Sequence, residues 1–247
     1  MEKATALVLR NIEFSETSSI VTLFTREFGK LRGIAKGARR PKGPFESALD
    51  LLALCRIVFV RKSSDALDLL TEAKLERRFR AAPRNLSSLY AGYYVAELLN
   101  ELTDDDDPHP ELFDAAIATL AALGQPTVSV AGVTLHFELS ALRLVGHLPR
   151  LDACAECGEP IATGGRVAFG QMSGGVLCTR CRPGKKQVVS ISGAAWRMLE
   201  RYAAENAPDE EPDRRAHGEV RAVMNLYLSN LLGRRPRLLD YLGLSAG

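Results

Sequence analysis

Ser19-Ile-Val-Thr-Leu-Phe-Thr-Arg-Glu-Phe-Gly-Lys-Leu-Arg-Gly-Ile-Ala35 sets two short apolar, β-branched runs on either side of a reversal. Ser19–Phe24 and Leu31–Ala35 read as strands, and Phe28-Gly29-Lys30 between them carries turn chemistry. Working outward, the same texture recurs at Ala6–Leu9, Leu51–Val60 and Leu67–Ala73, with another break in the segment from Gly37 to Pro44. Five short strands in about the first 80 residues suit a small closed barrel. The five-stranded OB-fold is the commonest such barrel that binds oligonucleotides, and an SH3-like barrel fits the count nearly as well.

From about residue 86 the period becomes helical. Leu86, Leu89, Tyr90, Tyr93 and Ala96 follow i, i+3, i+4, i+7 spacing, and Leu98, Leu99 and Leu102 broaden the apolar face. Phe113, Ala116, Ile117 and Leu120 predict a second helix, and Leu135, Leu139, Leu142 and Val145 a third. Ser192 is placed to cap a fourth helix bearing Trp196, Leu199 and Ala203. A fifth carries Val220, Val223, Met224, Tyr227 and Leu231, with Gly233 and Pro236 as its stop. Asp104–Asp107, followed by Pro108 and Pro110, reads as a solvated acidic linker, as does the stretch from Pro208 to Pro212. Neither has the glycine and spaced oxygen ligands of a calcium loop. The expected fold class is α+β: a barrel over residues 1–80, then a helical domain over 81–150 and 185–247, interrupted by a cysteine-bearing insertion at 151–184.

The insertion holds Cys154-Ala-Glu-Cys157 and, twenty residues on, Cys178-Thr-Arg-Cys181. Two CxxC pairs at this separation form a zinc-ribbon signature. Each CxxC turn directs two sulfurs to one side, and Gly158 after the first pair frees backbone amides to bond the thiolates. Arg166–Phe169 and Gly175–Leu177 predict short strands that return the second pair to the first. A redox CxxC needs a βαβ context that is missing here, paired disulfides need an oxidising compartment, and an iron–sulfur cluster also accepts four cysteines. Zn²⁺ is the favoured occupant of Cys154, Cys157, Cys178 and Cys181. Four cysteines leave no open coordination position, so its role would be structural. Cys55 lies in a strand pattern and is expected in the core.

Across its 247 residues the chain is 46% hydrophobic and 25% charged, which argues against disorder. The opening Met-Glu-Lys-Ala-Thr-Ala-Leu-Val-Leu-Arg10 is too short in apolar length for a signal peptide, and Asp50 and Arg56 interrupt the most apolar stretch, Leu49–Val60. A cytoplasmic location with reduced thiols is expected, with no membrane partner. Net charge is only +2, yet residues 1–80 hold 16 Lys/Arg against 10 Asp/Glu. Lys30, Arg32, Lys36, Arg39, Arg40 and Lys42 follow one another with no acid among them. Such cations on a Gly/Pro-containing connector can track a phosphate backbone without reading bases. Arg10, Arg61 and Lys62 extend the candidate patch. The bland alternative is a solvated loop on a basic barrel. Phe14, Phe24, Phe28 and Phe45 can stack bases, but strand spacing favours core positions for them.

Catalytic signatures are missing from the sequence. Gly184-Lys185-Lys186 lacks the upstream glycine and the hydroxyl of a P-loop, and Ser173 stands in Gly-Gln-Met-Ser-Gly-Gly and not in GxSxG. His109, His136, His147 and His217 are scattered, and His136 and His147 read as structural groups. A binding protein, and not an enzyme, is expected.

Taken in order, these motifs resemble one family. Arg10-Asn-Ile-Glu-Phe-Ser-Glu-Thr-Ser-Ser-Ile-Val-Thr-Leu-Phe-Thr-Arg-Glu-Phe-Gly-Lys30, then Gly33-Ile-Ala-Lys-Gly-Ala-Arg-Arg40, resembles the amino-terminal barrel of the bacterial recombination mediator RecO. So do Leu142-Arg-Leu-Val-Gly-His-Leu-Pro-Arg-Leu-Asp-Ala-Cys154-Ala-Glu-Cys157-Gly158, Ser173-Gly-Gly-Val-Leu-Cys178-Thr-Arg-Cys181 and the closing Gly233-Arg-Arg-Pro-Arg-Leu-Leu-Asp-Tyr241. The resemblance covers nearly the whole chain. It implies an OB-fold domain, a helical domain and a zinc-ribbon-like insertion. It further implies a role in DNA repair and recombination: binding of single- and double-stranded DNA, annealing of complementary single strands, and help in loading RecA onto strands coated by single-strand-binding protein. The implied partners are RecR, sometimes RecF, and the acidic carboxy-terminal tail of the single-strand-binding protein, which in the family docks on the helical domain. The rival from another class is a zinc-ribbon adaptor that binds protein or RNA in transcription or translation.

Overall fold

Alternating burial makes strands of the first five runs: β1 (Glu2–Glu13), β2 (Ser19–Thr25), β3 (Gly29–Ala35), β4 (Leu54–Val60) and β5 (Asp68–Arg77). In β3, for example, Leu31, Gly33 and Ala35 face inward while Arg32 faces out. A computed structural model of the chain describes residues 1–40, 43–45, 48–62, 66–161, 165–206 and 211–242. Lys42 of the basic segment and residues 208–210 of the second acidic stretch lie outside these. The chain forms two units, Met1–Pro126 and Thr127–Gly247.

In the first unit the strands close into a barrel in the order β1-β2-β3-β5-β4, with β3 and β5 parallel and the other pairs antiparallel. This closure selects the OB-like barrel over the SH3-like alternative. Closure depends on β1, whose first half pairs with β4 and whose second half pairs with β2. A bulge between Val8 and Arg10 bends the strand between these two jobs. Leu23, Leu31, Ile57, Phe59 and Leu70 fill the interior with Cys55 and Phe45. Burial pushes the Cys55 thiol up to about 12, as expected for a core cysteine. The fourth run starts later than its apolar pattern suggested, because Leu49–Ala53 forms a turn clamped onto the β1 bulge, with Leu52 N–H donating to Val8 O (2.8 Å) and Val8 N–H to Ala53 O (3.0 Å).

Helices α1 (Leu86–Leu102) and α2 (Pro110–Leu123) belong to this same unit. Asn85 caps α1 by accepting from Ser88 N–H, and Pro110 opens α2 where a missing N–H costs nothing. Phe113 of α2 lies against Phe24, ring centroids 6.0 Å apart. Gly92 lets α1 approach the Phe79 ring so closely that a Cβ there would stand 2.5 Å from it.

The second unit is built on α3 (Val130–Leu144), α4 (Gly193–Ala203) and α5 (Arg214–Leu231), with a three-stranded sheet in the order β7-β6-β8. Its strands are β6 (Arg166–Gly170), β7 (Gly175–Leu177) and β8 (Val188–Ser192). The first two match the expected hairpin, and β8 is an addition. Ser192 does cap α4, accepting from Ala195 N–H at 3.2 Å. Glu138 on α3 is fully buried and pairs with Arg221 of α5 through two hydrogen bonds, 2.5 and 2.9 Å. His136 is satisfied by the Tyr202 carbonyl at 3.0 Å. Among the described residues no helix is long and apolar enough to cross a membrane.

Candidate metal centre and nucleic-acid interface

The four cysteine sulfurs converge, all within 4.8 Å of one another. Two equivalent turns aim them. Gly158 N–H donates to Cys154 O (2.9 Å) in the first knuckle, and Arg182 N–H to Cys178 O (3.0 Å) in the second. Gly158 stands at φ +75°, a conformation that suits glycine. The β6–β7 hairpin brings the knuckles together, and Ala155 N–H donates to Val176 O at 2.8 Å. Gly175 matters for a steric reason, since a Cβ there would lie 2.3 Å from Arg150 O. Trp196 Nε1 donates to Leu151 O (2.9 Å), anchoring the chain just before Cys154 to α4.

The donor set fits a tetrahedral cation. Four sulfurs at about 2.3 Å from a zinc stand roughly 3.8 Å apart, and Cys157 Sγ to Cys178 Sγ is 3.8 Å. Burial opposes the Cys154 thiolate, but N–H groups of Cys178, Cys157 and Glu156 outweigh it and bring the thiol down to about 6. Cys181 goes the other way, up to about 12, because its thiol hydrogen-bonds the sulfurs of Cys157 and Cys178. These four cysteines could hold a metal ion, and they would fill all four positions of a tetrahedral site.

The barrel's cations divide into two groups. Lys30, Arg32 and Arg61 are engaged by the acidic segment after α1. Lys30 Nζ donates to the carbonyls of Asn100 (2.9 Å) and Thr103 (2.5 Å), supplying from the barrel the cation that the last turn of α1 lacks. Arg32 Nε meets Asp105 Oδ2 at 3.0 Å, and Lys30 lies 3.8 Å from the same carboxylate. Arg61 bonds Asp106 and Glu2 and lies over the Phe28 ring, 5.1 Å from its centroid. Asp106 N–H donates to Lys30 O at 2.9 Å, so the segment also pairs through its backbone. Asp104–Asp107 is therefore no free linker. Gly29 permits this approach, because a Cβ there would meet Asp107 O at 2.1 Å.

The second group faces solvent. Arg10, Lys36, Arg40 and Lys62 are exposed, and none of their side chains has an acidic partner among the described residues, although the Lys62 backbone N–H donates to Asp68 at 2.9 Å. Arg39 is exposed but tethered, with Nη1 at 3.0 Å from Glu13 and bonded to Ser15 O. Arg10 and Arg39 share a recess of about 470 Å³ with Asn11, Glu13, Asp50 and Leu51. Of the four phenylalanines, Phe24 and Phe45 are core, Phe28 packs edge-on against Phe59, and Phe14 alone is open, at 61% exposure.

Sequence reading missed Asp105 and Asp106 as partners of the basic strand, because Asp105 lies 73 residues beyond Arg32. It also passed over Arg77, Arg78, Arg80 and Arg84, four exposed arginines in eight positions. Their spacing at the end of β5 was the available signal.

Two family models match the chain, Recombination protein O N terminal over residues 1–79 and Recombination protein O C terminal over residues 83–240. A DNA repair protein RecO of Rhodopirellula baltica is 42% identical, with 96% of this chain and 97% of that protein covered. A DNA repair protein RecO of Anaeromyxobacter dehalogenans is 36% identical over 98% and 96%, and one of Moorella thermoacetica 30% over 95% and 88%. With an OB-like barrel, a helical second unit and a four-cysteine cluster in place, and with both family models covering nearly its whole length, this chain belongs to the RecO family of recombination and repair proteins.

Proposed function

We propose that this protein acts in DNA repair without chemistry of its own, binding single- and double-stranded DNA and bringing complementary single strands together. The observation that carries the reading is a set of exposed cations on an oligonucleotide-type barrel, Arg10, Lys36 and Arg40, with no acid paired to them among the described residues. Such cations offset strand–strand repulsion and release counterions while leaving bases free to pair. Lys30, Arg32 and Arg61 contribute chiefly by shaping the barrel, since acids already hold them. Lys62 and the tethered Arg39 border the open patch. Loading of recombinase onto coated strands, and engagement of RecR, RecF or the tail of a single-strand-binding protein, follow as the family's mode of action. Zn²⁺ is the proposed ion for Cys154, Cys157, Cys178 and Cys181, bracing the insertion and taking no part in DNA binding.

The test is duplex formation from two complementary labelled strands. Wild-type protein should accelerate it, and changing Lys36, Arg39, Arg40 and Lys42 to Ala should weaken single-strand binding and flatten its salt dependence. Wild-type rates in that variant across a salt titration would remove the loop from the interface.

A further inference from the structure

The turn Leu49–Ala53 separates two recesses on the barrel. On one side Asp50 and Leu51 line the hollow that holds Arg10 and Arg39. On the other, Leu52 joins Leu7, Leu54 and Phe79 in a recess of about 230 Å³, closed by Ile117, Leu120 and Ala121 of α2 and rimmed by Arg77, Arg78 and Arg80. The partition is held in an unusual shape. Leu52 has φ +62°, a left-handed conformation that a bulky side chain rarely adopts. Asn11 Nδ2 holds the turn by donating to Leu49 O at 2.9 Å. The result is Leu51 standing 43% exposed between two sets of arginines.

Arginines outnumber carboxylates across this surface. Arg77, Arg80 and Arg84 are exposed with no acidic partner among the described residues, and Arg78 reaches only Asp50, 3.7 Å away and itself exposed. Glu13 is already occupied by Arg39. An apolar floor under an arginine rim suits an unpaired base with its phosphate, because aromatic and apolar surfaces take a base's face while guanidinium groups take the backbone.

We propose that the nucleic-acid track does not end at the 36–40 loop but crosses Leu51 into the recess under Arg77, Arg78 and Arg80, and that the strand held there is single. This rests on the DNA-binding reading above. Phosphates pass from Arg39 and Arg10 to Arg78, Arg77 and Arg80, while a base lies on Leu51 or in the recess behind it. A duplex, whose bases stay stacked, gains only the rim.

The experiment measures affinity for a labelled oligothymidylate, by anisotropy, across a salt series. Each phosphate that the protein no longer neutralises flattens the log–log slope by about 0.7 for a single strand. The full-length variant R77A/R78A/R80A should therefore lower the magnitude of that slope by roughly 2 on the single strand, while R77K/R78K/R80K keeps the wild-type slope. Leu51→Trp should be quenched on binding the same oligonucleotide, which reports the track even if the triple alanine variant folds poorly. A wild-type slope in R77A/R78A/R80A, or an unquenched Trp at position 51 in a saturated complex, would overturn the extension. If the loop variant K36A/R39A/R40A flattens the slope in the same series, the DNA-binding reading stands despite that result. If neither variant changes it, both fall.

Discussion

The two units differ in where their strongest charge contacts lie. The barrel unit keeps its ions at the surface, where Arg26 meets Asp114, Arg32 meets Asp105 and Arg39 meets Glu13 with much of each side chain in water. The second unit has surface pairs as well, such as Arg180 with Glu159 and Arg166 with Glu219, but it adds a fully buried Glu138 against Arg221 and four sulfurs gathered around one point. Surface pairs contribute little to stability and remain available to a polyanion; buried ones are costly to break and unavailable to any ligand. Among the described residues Glu138 is the fully buried charged side chain, and it belongs to the second unit.

The sharpest attempt to break that division is removal of a sulfur. Cys154→Ser should abolish stoichiometric metal, measured by elemental analysis, and lower the unfolding midpoint of the second unit. Small zinc modules draw roughly 10–16 kcal/mol from the metal near neutral pH. An intact, equally stable, metal-free protein would show that the cluster braces nothing. Next comes Glu138→Gln, which removes the buried countercharge of Arg221 and leaves it Asn225 and an amide oxygen. Chemical denaturation should show a loss of about 3 kcal/mol, and a negligible change would mean water already reaches the pair.

Lys30→Met tests the barrel's exception, a cation that serves the fold. Its side chain is only 12% exposed and satisfies two carbonyls at the end of α1, so a loss of about 2 kcal/mol is expected. Strand binding should fall less than in the 36–42 loop variant. The reverse ranking would move Lys30 into the DNA interface.

The smallest effect is a pH slope. Burial, and then Arg221, hold the His217 imidazolium below its usual range, with Glu138 acting against them. The unfolded chain takes the proton first, at about pH 6.5. Stability should be complete above that value and decline as pH falls through it. His217→Gln should reduce the slope of the midpoint between pH 7.5 and 5.5. An unchanged slope would assign it elsewhere.

What was legible in the sequence followed the same division. The cysteine site could be read because its geometry is local: two CxxC turns and a hairpin carry all four sulfurs, and Cys154 to Cys181 lie within one short insertion. Strand runs were readable because alternation is local too, as in Leu31, Gly33 and Ala35 against Arg32. The fate of the barrel cations was not. Whether Lys30 faces a phosphate or caps α1 depends on Asn100, Thr103 and Asp105, and no periodicity links positions so far apart. The run Asp104–Asp107 looked like self-repelling linker because its counter-charges, Lys30 and Arg32 of β3 and Arg61 just past β4, come from much earlier in the chain. The turn at Leu49–Ala53 was hidden for another reason: its leucines carry strand propensity, and only the clamp onto Val8 overrides it.

The parallel pairing of β3 with β5 spans only Gly33 to Ala35, so toward Lys30 the ladder would end in bare amides and carbonyls. Unsatisfied rims of that kind invite a neighbouring molecule to add a strand and seed self-association. Here Asp105 and Asp106 fill the vacancy from within the same polypeptide, their carboxylates tied to Arg32 and Arg61. The barrel thus closes its own open edge at this point and leaves a neighbour less backbone there to extend.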